Sequence, residues 1–238
     1  KVSRKRRTSA KKGRQCNPIP GSFRSAERRS FWRANVFLLE CTVVLTLHLA
    51  ALHRWVLPGP RRSLLALFAA TYMARLTVMA RWLLPRELAT EELTFVALAW
   101  IPAILASFTF GAALRADAGG ATSTQLQVLL MYCAGSFLNS FSELQRKWWK
   151  ARPHNKGRCY TCGLFSLSRN VNYFGDVVLF GAWAAATGAW WNAWVPLAMG
   201  CSFYFHHIPD KEAYLAKRYA EDWPAYQAST KSLVPWIL

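Results

Sequence analysis

Residues 93–114 read LTFVALAWIPAILASFTFGAAL, and residues 177–205 read VVLFGAWAAATGAWWNAWVPLAMGCSFYF. Neither run contains an Asp, Glu, Lys or Arg. A helix that crosses hydrocarbon needs about 20 predominantly apolar residues, and the first run meets that length in one piece. The second is long enough for a tight hairpin, Tyr173–Trp190 and Trp194–Phe205 turning near Asn192, with its second arm short for a full crossing. These runs set the fold class: an all-α, polytopic integral membrane bundle, not a soluble helical domain.

Working outward, three more spans complete a count of about six. Phe31–Leu57 is interrupted by Glu40, His48 and His53, and ends at Pro58-Gly59-Pro60, where Pro stops the helix and Gly permits a reversal. Ser63–Leu84 carries Arg75 and Arg81 and stops at Pro85. After residues 93–114, with a kink expected at Pro102, a fourth span starts near Gln125 and becomes steadily more polar through Asn139, Glu143 and Lys147. Asp210–Tyr226 reads as an amphipathic segment outside the bilayer.

The 238 residues are 53% hydrophobic with 12 Trp, yet the net charge is +18. Such a charge suggests nucleic acid for a soluble protein. Here 12 of the 30 Lys and Arg lie between Lys1 and Arg33, against the single acid Glu27. Segregated like this it is a topology signal, with no nucleic-acid partner expected. Residues 1–30 form a basic tail, disordered or surface-lying, kept on the cytosolic, stromal or matrix side and facing anionic headgroups. An Arg- and Ser-rich start also fits the remnant of an organelle targeting segment, so the membrane is that of the endoplasmic reticulum or an organelle. Residues 31–238 then make one membrane domain. Of the six cysteines, Cys159 and Cys162 form a lone CxxC with no second pair, and no metal site is expected.

Ionisable groups inside spans mark functional sites by default. Glu40 is one such group. Tyr72 and Arg75, three residues apart, share one helical face. A Tyr hydroxyl beside a carboxyl group suits proton donation to a carbonyl, although a lone Tyr in a span is more often packing. A denser array follows: Asn139, Glu143, Lys147 and Lys150 form one stripe of a helix leaving the bilayer. Arg169, Asn172 and Asp176 form another. Arg and Lys suit phosphates, while Asn and Asp suit ribose or base. A bland lipid-headgroup loop accounts for the charges but not for Asn172 and Asp176 on the buried side. His206 and His207 close the last span, and Tyr214 lies seven residues beyond His207.

The order Asn155-Lys156-Gly157, Gly163-Leu164-Phe165, Ser168-Arg169-Asn170-Val171-Asn172-Tyr173-Phe174-Gly175-Asp176, then Ile208-Pro209, Glu212, Tyr219, Tyr226 and Pro235 resembles the C-terminal half of the steroid 5-alpha-reductase-like membrane reductases. Members of that family usually read NKG, GLW, SRHPNYFGE, then IP, E, Y, Y and P. The departures are Asn170-Val171 for His-Pro and Asp176 for Glu. The resemblance implies an NADPH-binding C-terminal half that uses Asn139, Glu143, Lys147, Lys150, Asn172, His207 and Tyr214. It also implies a catalytic Glu40 and Tyr72, with Arg75 one turn after the Tyr and Arg86 as a further cofactor contact. The family usually has seven spans, and the one before Glu40 is missing or replaced by the basic tail.

The expected activity is therefore reduction by NADPH of a carbon–carbon double bond conjugated to a carbonyl, in a sterol or long-chain enoyl lipid. Expected partners are the bilayer and that lipid-like substrate. The rivals are an S-adenosylmethionine-dependent membrane methyltransferase and a non-catalytic reductase-like subunit docked to other membrane subunits. Charge segregation makes one prediction: the tail 1–30, the loop 142–171 and the segment 208–238 lie on one side. Impermeant labelling that modified Cys16 and Cys159 from opposite faces would contradict it.

Overall fold

The computed structural model describes residues 32–84, 88–117 and 122–238, and every regular element among them is helical. Three helices are long and apolar enough to cross a membrane: Trp32–Trp55, Pro60–Leu83 and Glu92–Ala113. Val171–Ala186 is a shorter apolar one. The basic tail and Arg86 lie outside the described residues.

The first helix, α1 (Trp32–Trp55), has neither Gly nor Pro in its interior. It ends where Gly59, at φ 151°, takes a backbone that L side chains rarely adopt, and Pro60 then opens α2 (Pro60–Val78). Pro fits the start of a helix because its missing N–H has no intrahelical partner there. Past Val78 the helix widens into a π-helical turn, Met79–Leu83, closed by Leu84 N–H donating to Met79 O at 2.9 Å. Leu84 is extended before Pro85, as a residue preceding Pro prefers.

The kink expected at Pro102 takes the same form. Glu92–Trp100 is π-helical, and ordinary α-helix, α3 (Ile101–Ala113), resumes at the proline. A third π-turn, Phe203–His207, lies between α6 (Trp194–Ser202) and α7 (Ile208–Arg218), whose second residue is Pro209. Proline lacks an N–H and its ring collides with the carbonyl four residues back. Widening the preceding turn relieves that collision.

The central pair is α4 (Thr122–Lys150) and α5 (Val171–Ala186). Their backbones touch at two glycines. A Cβ on Gly135 would stand 2.5 Å from Leu179 N and 2.7 Å from Gly175 O, and one on Gly175 would stand 2.5 Å from Asn139 N. Around this contact packs an aromatic core. Trp183 is wholly buried, Phe68 stacks on Tyr132 at 3.8 Å, and Tyr132 Oη donates to Phe68 O at 2.8 Å.

The loop after α4 and the C-terminal segment form a cap over one end of the bundle. Arg158 pairs with Asp222 at 2.6 Å, and Tyr226 Oη, on α8 (Trp223–Ser229), donates to Phe165 O at 2.6 Å. Arg169 N–H donates to Lys231 O at 2.8 Å, and Ser168 Oγ to Leu233 O at 2.7 Å. Sequence-expected ends thus agree with the helices to within a few residues, except that the hairpin begins at Val171 and its first arm stops at Ala186.

Gly175→Val forces backbone apart from backbone, so the unfolding midpoint should fall by the equivalent of about 3 kcal/mol, the upper range for overpacking. Gly200→Ala, whose nearest neighbour would be 3.8 Å away, should leave it nearly unchanged.

Candidate functional site

A cavity of about 640 Å³ opens between α1, α2, α3, α4, α5 and α6. Phe37, Leu76, Met79, Phe95, Trp100 and Ile104 give it an apolar side. Arg75, Asn139, Ser140, Glu143, Asp176 and His207 give it a polar side. All three π-turns contribute wall residues, among them Met79, Phe95 and Phe203.

The polar side is built around Arg75. Its Nη2 donates to Asn139 Oδ1 at 2.7 Å and to Asp176 Oδ1 at 3.0 Å, and its Nε donates to Ser140 Oγ at 3.2 Å. Asn139 Nδ2 closes the triangle on Asp176 Oδ2 at 2.8 Å and also reaches Asn172 O at 3.0 Å. The glycine contact makes this possible, since it brings the α4 and α5 side chains one turn away into direct reach. Two polar atoms in this group are buried without a hydrogen-bond partner: Arg75 Nη1 and Asn172 Oδ1. Unsatisfied buried donors and acceptors are rare and are costly unless a ligand meets them.

Tyr72 lines the cavity beside this cluster, with the Arg75 guanidinium 5.7 Å from its ring centroid. Its ring packs edge-on to Phe180 and Trp183. The expected pairing of Tyr72 with Glu40 is not formed. The buried face of α1 is Phe37, Cys41, Leu45 and His48, and at 100° per residue Glu40 lies well to the side of it. Among the described residues Glu40 makes no hydrogen bond, one carboxylate oxygen is buried, and α1 meets the cavity through Phe37.

The stripe along α4 divides in two. Asn139 and Glu143 face the cavity, where Glu143 also pairs with Arg146. Lys147 and Lys150 lie beyond the wall. Lys147 donates to Trp82 O and stands 4.5 Å over that ring, while Lys150 donates to Tyr219 Oη. Arg169 is likewise structural: Nε and Nη2 grip Glu212 at 2.8 and 3.1 Å, and Nη1 reaches Gln227 O at 3.0 Å. This pair is mostly buried, with side chains 10% and 14% exposed. Asn170 Nδ2 donates to Ser232 O at 2.9 Å, and Val171 is wholly buried at the first turn of α5. The Asn-Val departure from His-Pro therefore falls in the cap and not in the cavity wall. Tyr214, 56% exposed, stands beside Arg218 instead of joining His207.

Sequence reading missed Ser140, Ser202 and the acidic pair Glu91 and Glu92, all in the wall. It also missed Lys211, whose ammonium lies 4.6 Å over the Tyr173 ring. Burial and the nearby Arg146 lower the Lys211 pKa to about 8, against the pull of Glu143 and Glu212. None of these five residues belonged to a recognisable spacing, so no sequence signal pointed to them. Cys159 is a free, buried thiol, pushed up to about 11 by burial, which opposes thiolate chemistry there.

Among known proteins, the family model described as "Protein of unknown function (DUF1295)" matches residues 31–230. A curated relative is the "Probable O-methyltransferase ustE" of Ustilaginoidea virens, 28% identical over 130 residues. That match covers 53% of this chain and 45% of the relative, so the chain spans under half the length of the curated protein it matches.

Arg75 and Asp176 are mostly buried, with side chains 16% and 20% exposed. Arg75→Met should destabilise by about 3 kcal/mol, because it strands a buried carboxylate. Adding Asp176→Asn should recover at least half of that loss, and a double-mutant cycle by denaturant unfolding measures the coupling.

Proposed function

The chain belongs to the DUF1295 family, and from the shape of its cavity we propose a membrane enzyme that reduces a conjugated carbon–carbon double bond in a lipid-like substrate with NADPH. The observation that carries this reading is one cavity within the bundle whose wall sets apolar side chains against a hydrogen-bonded polar cluster around Arg75. Its relation to the steroid 5-alpha-reductase-like proteins supports it. The substrate's hydrocarbon would lie along Phe37, Leu76, Phe95 and Ile104. Its carbonyl would approach the Tyr72 hydroxyl, which among the described residues has no hydrogen-bond partner.

Arg75 positions this donor. Its charge, neutralised in part by Asp176, favours negative charge developing on a carbonyl oxygen. Asn139 holds the Asp176 carboxylate in place and so fixes Arg75. For the cofactor, the fit rests on the two orphaned atoms, Arg75 Nη1 and Asn172 Oδ1, with Ser140, Glu143 and His207 beside them. When bound, NADPH supplies hydride. Glu40 has no part in this reading, and Lys147, Lys150 and Arg169 support it through the framework.

A second reading has its own observation. The cavity wall holds four carboxylates, from Glu91, Glu92, Glu143 and Asp176, against Arg75 and His207. That balance suits a positively charged sulfonium better than a phosphate, and the curated relative is named as a methyltransferase. On this reading the cofactor is S-adenosylmethionine, and the substrate is again a lipid.

Calorimetric titration of purified protein with each cofactor separates the two. NADPH binding is expected, and S-adenosylmethionine binding alone would replace the reductase with the methyltransferase. Binding of neither would favour a non-catalytic subunit. On the first reading, Tyr72→Phe should lower turnover at least 100-fold, the low end for a lost proton donor. It should leave NADPH affinity within about twofold, because the hydroxyl acts only in the transition state.

A further inference from the structure

The outer face of the cavity's wall helix is short. Along the helix that runs from α6 through the third π-turn into α7, the outward apolar side chains are Trp194, Leu197, Tyr204 and Phe205, exposed by 38, 66, 37 and 66%. Cys201, also exposed, lies between them. His206, His207 and Asp210 follow, all exposed. Eleven residue steps separate Trp194 from Phe205, about 17 Å at 1.5 Å per residue. Tilting the helix only shortens that span across the bilayer.

Other faces are much longer. On α1 the outward apolar stripe runs from Trp32 to Trp55, 55 and 63% exposed, about 35 Å by the same measure. From Phe95 to Leu114, 60 and 58% exposed, it is about 29 Å. Typical hydrocarbon is about 30 Å thick. A flat bilayer that suits those two faces, seated at Trp194, would submerge His206 and Asp210, and lipid-exposed ionisable groups at depth are avoided.

We infer that the bilayer is thinned along the α6 edge, its headgroups dipping to the level of Phe205 and His206. The stripe itself argues for lipid on this face over a protein partner. It presents mainly large apolar and aromatic side chains, with Ala193 and Cys201 the exposed small ones among them, and not the run of small residues that close helix packing requires. It is also bounded by aromatics at both ends, with Trp190, 85% exposed, and Trp194 on one side and Tyr204 on the other, as in interfacial belts. Local thinning is the usual response to a short hydrophobic face. The inner side of the same helix lines the cavity with Ser202, Phe203 and His207. Headgroup level therefore meets the cavity wall at His207 here, and a lipid substrate with its reacting group near the headgroup has the shorter route in. That last consequence rests on the cavity being the substrate site, whereas the thinning does not.

The test places a fluorescent amino acid at position 190, 206 or 43 of the full chain, reconstituted in dioleoylphosphatidylcholine vesicles. Bromolipids brominated at graded depths then report where each label lies. Expected is strongest quenching by the shallowest bromines at both 190 and 206, and by the deepest at 43, on the α1 stripe. Deep quenching at either 190 or 206 would overturn the inference. So would no quenching at both, since a protein would then cover the edge. Positions 194 and 210 give the same comparison should the first labelled variants fail to fold.

Discussion

The contact between the backbones of α4 and α5 governs the rest of the molecule. Gly135 and Gly175 let two helices approach until no side chain fits between them. Inside a bilayer, where lipid offers as apolar a surrounding as leucine does, such close packing is a main source of helix association. Asn139 stands one turn from Gly135, and Asp176 is next to Gly175. Their hydrogen bond is a direct result of that spacing, and Arg75 completes it from α2. A cluster of charge can therefore sit in the wall of the cavity, already paired before any ligand arrives.

Three of the basic residues that look like cofactor ligands, Lys147, Lys150 and Arg169, make framework contacts instead. Arg169, Lys150 and Arg158 each tie the cap together, through Glu212, Tyr219 and Asp222 respectively. The cap in turn holds the first turn of α5 against the C-terminal segment. Charge density along a chain reports where polar chemistry gathers, but it does not separate groups that face a ligand from groups that hold the frame. The division runs by helical face. Asn139 and Glu143 look inward, while Lys147 and Lys150, one and two turns further on, have left the wall.

What was legible in the sequence follows from the same physics. Uncharged runs such as 93–114 identify spans because hydrocarbon tolerates nothing else there. The sharing of a face by Tyr72 and Arg75 follows from the helical period alone, and both line the cavity. Glu40 was misplaced because its span has polar residues on two faces, and no spacing within one helix tells which face another helix will cover. Lys211 and Ser140 were invisible for a related reason: their significance arises from neighbours on other helices. The exchange of His-Pro for Asn-Val looked like a change in the site, yet it falls where a helix begins and the C-terminal segment bonds to it.

The three π-turns precede Pro85, Pro102 and Pro209, and each offers side chains to the same cavity. A π-turn accommodates one more residue per turn than its α-helical neighbour, and this surplus can migrate along a helix by exchanging one hydrogen bond at a time. Each step swings the intervening side chains by about 100° without sliding the helix in the membrane. The cavity is therefore lined on three sides by segments in which such a shift has a place to start. A pocket built this way can fit its outline to a guest without moving its helices.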